Sequence, residues 1–143
     1  LGFELLHKPD VTGYKGIAFV RDPRIRLVSS ILMVQQNTGV TVEYILEKLS
    51  ENNIFDEHLI QQTDFIKNYT ITSYIDLDNY KNYQPKSRME NIIIKTLEVY
   101  TDNNSNDTSK QKVFEIVNQP QYKDIVDNYM AVDTVMFNKF GNT

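Results

Sequence analysis

The chain has no cysteine. Disulfides, thiolate metal sites and a cysteine nucleophile are therefore excluded, and the absence fits a reducing, cytoplasmic setting. Long apolar runs are missing too: no stretch approaches the roughly 20 residues that a membrane-spanning helix needs. The opening "LGFELLHKPD" has neither the basic region nor the long apolar region of a secretory signal. It also lacks an initiator methionine, so a trimmed chain or a fragment of a longer parent is expected. Excess positive charge is absent. Against 19 acidic residues there are 15 basic ones, giving a net charge of -4 and a pI of about 5.1. Surfaces that track nucleic-acid phosphates are usually basic, so no general nucleic-acid surface is expected. A small local anion site stays open. The 2 histidines have no supporting carboxylate cluster, so no metal centre is expected. The 5 glycines form no Gly-x-x-x-x-Gly-Lys loop, which argues against a small phosphate-transferring kinase. There are no internal repeats.

What is present suits one domain. The 143 residues are enough for a single core, and 41% hydrophobic with 24% charged residues is ordinary for a globular protein. "GIAFV" is short, continuous and apolar, the pattern of a strand buried on both faces of a parallel sheet. Pro23 suits the first turn of a helix, where its missing N–H costs nothing. "RIRLVSSILMVQQN" reads as that helix, with Ile25, Leu27, Val28, Ile31, Leu32 and Val34 covering most of its circumference. "TVEYILEKLSENN" reads as a second helix, with Thr41 as N-cap and a stripe of Val42, Ile45, Leu46 and Leu49. "DEHLIQQTDFI" reads as a loop with at most one turn. "YTITSYIDL" alternates and is β-branched, so it predicts a strand. "SRMENIIIKTLEVY" predicts a helix, residues 101–109 an exposed loop, and "KQKVFEIVNQ" a short helix ending near Pro120. The last helix, "YKDIVDNYMAVDTVMFNKF", carries a stripe of Ile125, Tyr129, Val132 and Met136. Strand, helix, helix, strand and then helices predict a small α/β layer structure, a parallel sheet flanked by helices with a helix-rich C-terminal half.

One junction carries chemistry. In "KGIAFVRDPRIRLVSS" the first strand ends at Arg21-Asp22-Pro23 and the helix begins. A loop leaving a parallel strand and entering a helix is a natural anion site, because the helix N-terminus offers free N–H groups and a positive dipole end. Arg21 suits a bidentate contact to a phosphate. Ser29, in the second helical turn, is placed to donate to the same anion. Asp22 suits a phosphate badly and is expected to cap the helix or pair with Arg26.

"AFVRDPRIRLVSS" resembles the 3′-phosphate-binding element of the sulfotransferases, which use 3′-phosphoadenosine 5′-phosphosulfate (PAPS). In that family a strand ends in Val-Arg-x-Pro, Arg-Leu follows, and a serine stands eight residues after the first arginine; here these are Val20-Arg21-Asp22-Pro23, Arg26-Leu27 and Ser29. Members acting on carbohydrates often carry His-x-x-Pro-Gln. The chain keeps the ends of that motif as His58 and Gln62 but has Gln61 in place of the proline. "TDFIKNYTITSYIDLDNY" is similar to the strand and acidic turn that follow in the family, and Tyr129 and Asp133 are similar to its common tyrosine–aspartate ending. The likeness runs over roughly residues 5 to 140, with the Arg21–Ser29 element its specific part.

The resemblance implies a partial P-loop-like sulfotransferase fold. It also implies a PAPS or bisphosphoadenosine (PAP) site built on Arg21 and Ser29, and a hydroxyl acceptor on a carbohydrate contacted by His58 and Gln62. His7, upstream of the arginine loop and followed by Lys8-Pro9, is its candidate for the base that takes the acceptor's proton, since histidine titrates near neutrality. The chain departs from the family in one respect: the Pro-Lys-x-Gly-Gly-Thr-Ser-like loop that cradles the 5′-phosphosulfate has no counterpart in it. Either an N-terminal segment of a longer parent supplies that loop, or the chain is a non-catalytic nucleotide-binding or interaction domain of the same fold. Asp76 and Asp78 read as a solvated turn.

Overall fold

A computed structural model describes residues 15–101 and 107–140, with the backbone alone at 99–101 and 107. Strand β1 (Lys15–Val20) leads into helix α1 (Pro23–Thr38) and helix α2 (Val42–Ser50). A short 3-10 turn (Glu57–Leu59) and helix α3 (Gln62–Ile66) follow, then strand β2 (Thr70–Asp76). Helices α4 (Arg88–Thr101), α5 (Asp107–Val117) and α6 (Lys123–Phe140) complete the described chain. The two strands pair in parallel, Lys15 beside Thr70 and Val20 beside Asp76. The register slips between Gly16 and Ile17, leaving Thr72 as the extra residue. The expected parallel sheet flanked by helices is therefore present, two-stranded among the described residues.

Caps explain where the helices start. Asp22 accepts from the N–H groups of Arg24 and Ile25, and Pro23 occupies the first turn of α1. Gly39 closes α1 at φ 76°, a left-handed conformation that suits glycine. Thr41 caps α2 by accepting from Tyr44 N–H, and Val42, Ile45, Leu46 and Leu49 are all buried as their spacing predicts.

The buried residues form one main cluster and two smaller ones. The main core joins α1 (Leu27, Val28, Ile31, Val34), the α2 stripe, Leu59, α5 (Val113, Val117) and α6 (Val126, Met130). Ala18 and Val20 on one sheet face meet Met136 and Phe137 of α6. On the other face Ile75 meets Tyr80 and Ile94 of α4. Both sheet faces are thus covered, although Phe19 at the strand's outer side stays 37% exposed.

Three expectations change. Helix α1 is buried on one side only, with Ile25 and Met33 more than two-fifths exposed. In α6 the inward face is Val126, Met130, Asp133, Met136 and Phe137, while Val132 is 53% exposed. An apolar stripe drawn without its one polar member is rotated from the true face, because Asp133 is the residue that completes it. The polar stretch 56–66 is not a loop but the 3-10 turn and α3. Their caps are Asp56, which accepts from His58 N–H, and Asp133 of α6, so half of that signal is remote in sequence. Helical structure also takes Thr101 and 107–109 from the expected loop.

Candidate functional site

The site sits where β1 ends and α1 begins. Leu77 N–H donates to Val20 carbonyl at 2.8 Å, so β2 continues alongside the last residue of β1. Beyond that point the next backbone groups, those of Arg21, are paired by a side chain. Arg21 N–H donates to Gln62 Oε1 at 2.8 Å, and Gln62 Nε2 donates to Arg21 carbonyl at 2.9 Å. A carboxamide has one acceptor and one donor end, so it replaces a strand partner for one residue. The backbone of Arg21 is thereby fixed, and its guanidinium projects from a rigid base.

Gln62 is fixed in turn. Its N–H donates to Asp133 Oδ2 at 2.8 Å, while Thr63 N–H and Oγ1 donate to Asp133 Oδ1 at 2.8 and 2.6 Å. Asp133 is 3% exposed, so α6 supplies a buried N-cap to α3. The residues just before are held as well. Arg26 Nη2 donates to Ile60 carbonyl at 2.5 Å, the Tyr129 hydroxyl donates to Leu59 carbonyl, and the Gln61 amide donates to Tyr129 carbonyl. Burial pushes the Tyr129 hydroxyl up to about 12, so it stays a neutral donor over the ordinary pH range. Arg26 is thus spent on Ile60, and Asp22 caps α1 rather than pairing with it.

At the guanidinium itself, Arg21 Nη1 reaches Ser29 Oγ at 3.4 Å, as the strand-to-helix spacing predicts. Nε donates to Asp78 Oδ2 at 3.0 Å and Nη2 to Asp78 Oδ1 at 2.8 Å. Asp78 is the residue that sequence reasoning missed, because a two-aspartate turn after a strand reads as solvated. Its N–H donates to Asp76 Oδ1 at 3.0 Å. Burial raises the Asp76 carboxyl above its usual value and the Asp78 charge adds to that, against the Asp78 N–H bond and Arg21, which lower it. Beside Ser29 lies an open groove of about 520 Å³, walled by Ile25, Val28 and Phe114, with Arg24 and Lys110 on its lining.

The structure therefore joins Arg21, Ser29 and Gln62 into one cluster. His58 is not part of it: its Nδ1 lies 2.8 Å from Oδ1 of Asp56, the cap of its own 3-10 turn. Gln62 spends both ends of its carboxamide on the Arg21 backbone. His7 falls outside the described residues. Among the described residues no group of His, Asp and Glu is arranged to hold a metal ion, and no helix is long and apolar enough to cross a membrane. No protein-family model matches the chain, and no curated protein or solved structure matches it.

Proposed function

We propose that the chain binds the 3′-phosphate of a 3′-phosphoadenosine nucleotide at Arg21 and Ser29, and is a PAPS-dependent sulfotransferase or the C-terminal part of one. The observation that carries this reading is the geometry at the end of β1. A guanidinium held on a clamped backbone and a hydroxyl in the second turn of α1 lie 3.4 Å apart where β1 gives way to the helix. A guanidinium and a hydroxyl at the positive end of the helix dipole suit the outward oxygens of a phosphate monoester. The groove beside Ser29 has apolar walls and a volume within the range of small-ligand sites, which suits a nucleoside. The chemistry is transfer of a sulfuryl group from PAPS to a hydroxyl, here proposed to be that of a carbohydrate. The bond from sulfur to the bisphosphate oxygen breaks, the bond from sulfur to the acceptor oxygen forms, and the acceptor's proton leaves to a base, for which His7 is the candidate.

A second reading is a non-catalytic nucleotide-binding or interaction domain with the same fold. The contact that favours it is the Arg21–Asp78 pair, since the anion-binding edge of Arg21 already holds a carboxylate.

Thermal unfolding with 3′,5′-bisphosphoadenosine, with AMP, and with Arg21→Ala tests the site. At about 100 times its Kd a ligand stabilises by about 2.7 kcal/mol. A shift of that size with the bisphosphate, smaller with AMP and lost in Arg21→Ala, is the expected result. No shift at millimolar bisphosphate in the wild type or in Asp78→Asn overturns the reading. Transfer of labelled sulfate from PAPS to a glycan then separates the enzyme from the non-catalytic domain.

A further inference from the structure

Asp78 stands where an anion belongs. Its carboxylate meets the Nε and Nη2 edge of Arg21 through two bonds of 3.0 and 2.8 Å, the same planar two-point contact that a guanidinium offers to two oxygens of a phosphate. Nη1 already reaches Ser29, so every nitrogen of the guanidinium is engaged. An anion seeking a bidentate contact on this arginine meets Asp78 first. We propose that Asp78 is an internal competitor for the anion: it holds the phosphate-binding edge of Arg21 in the empty site, and its release sets the affinity. The inference rests on the reading of Arg21 as a phosphate ligand.

The two partners differ in how firmly they are held. Arg21 is anchored through both backbone polar groups by Gln62, which is itself tied to Asp133. Asp78 lies in the turn after β2, and its side chain is 36% exposed against 21% for Arg21. When the pair opens, the carboxylate turns into water while the guanidinium stays in place. Opening is also needed on charge grounds. Asp76 lies close enough to Asp78, Asp22 and Arg21 to sense their charges. Asp78 is the carboxylate in direct contact with the guanidinium, so a dianion approaching that edge meets its repulsion at closest range. With Asp78 rotated out, the nearest opposing charge leaves and the bidentate edge becomes free. The carboxylate thus keeps an unliganded arginine paired.

Calorimetric titration of 3′,5′-bisphosphoadenosine into the wild-type chain, Asp78→Asn, Asp78→Ala and the Arg21→Ala/Asp78→Asn double variant tests this, with circular dichroism to establish that each is folded. Removing an exposed competing charge is expected to tighten binding by about threefold to fivefold in both single variants, with the gain lost in the double variant. Arg21-dependent binding that is unchanged within twofold, or weaker, in both Asp78 variants overturns the competitor role and leaves the Arg21 site standing. No Arg21-dependent binding in the wild type or in either Asp78 variant overturns the Arg21 reading, and the competitor role falls with it.

Discussion

Asp133 and Asp78 both accept hydrogen bonds from groups at one junction, yet they act at opposite ends of it. Asp133 is 3% exposed and receives bonds from Gln62 N–H, Thr63 N–H and Thr63 Oγ1. Asp78 is held by a single guanidinium and is over a third exposed. The difference is solvent. In a buried site the donors have no water to turn to, so losing the acceptor exposes their full desolvation cost. At the surface water takes over, so the exposed pair adds little stability and is free to exchange partners. One carboxylate builds the platform under Arg21, and the other occupies what the platform presents.

That contrast is sharpest if Asp133 is removed. Asp133→Ala leaves three donors without a partner and is expected to cost about 3 kcal/mol, with the cap of α3 lost. Urea unfolding measures it, and a loss below about 1 kcal/mol contradicts the buried-cap account. Gln62→Ala comes next. It strips both backbone groups of Arg21 of their partner and is expected to cost about 2 kcal/mol, with bisphosphate binding weakened because the guanidinium loses its base.

Glu90 extends the comparison to a third carboxylate. It is buried at 6% exposure, and accepts from Lys86 N–H, the Tyr83 hydroxyl and the Ser73 hydroxyl. The Lys86 N–H, followed by the two hydroxyls, holds its carboxyl below the usual glutamate value, against burial, which works the other way. A depressed folded value means that the stabilisation is complete above the ordinary glutamate range. It is lost as pH falls through that range and on through the lowered folded value. Thermal melts from neutral pH into acid are therefore expected to fall less steeply in Glu90→Gln than in the wild type, with Glu90→Gln about 1–2 kcal/mol less stable at pH 7. Equal slopes contradict the assignment. The smallest effect is expected at Asp78→Asn, within about 1 kcal/mol of the wild type in urea unfolding. A loss as large as that of Asp133→Ala erases the distinction between the two sites.

Much of the fold was legible because its signals are local. Pro23 with Asp22, Thr41 with Tyr44 N–H, and the α2 stripe depend on residues within one or two helical turns, and each stands where its spacing predicts. The contact of Arg21 with Ser29 was legible for the same reason, since eight residues across a strand-to-helix turn leave little freedom. The inward face of α6 was misread because its central residue is an aspartate, and polarity alone assigns an aspartate to water. The stretch 56–66 was misread because the cap of α3 comes from a residue 70 or more positions away.

The sequence by itself thus determined both strands and the longer helices, and that a fixed cation and a hydroxyl meet near the start of α1. Only the tertiary structure decided which carboxylates join them. Asp133 lies 71 residues from Gln62, and Asp78 lies 57 residues from Arg21. Periodicity states which way a side chain faces along its own element. It does not state what another element, closing over it, will bring within 3 Å.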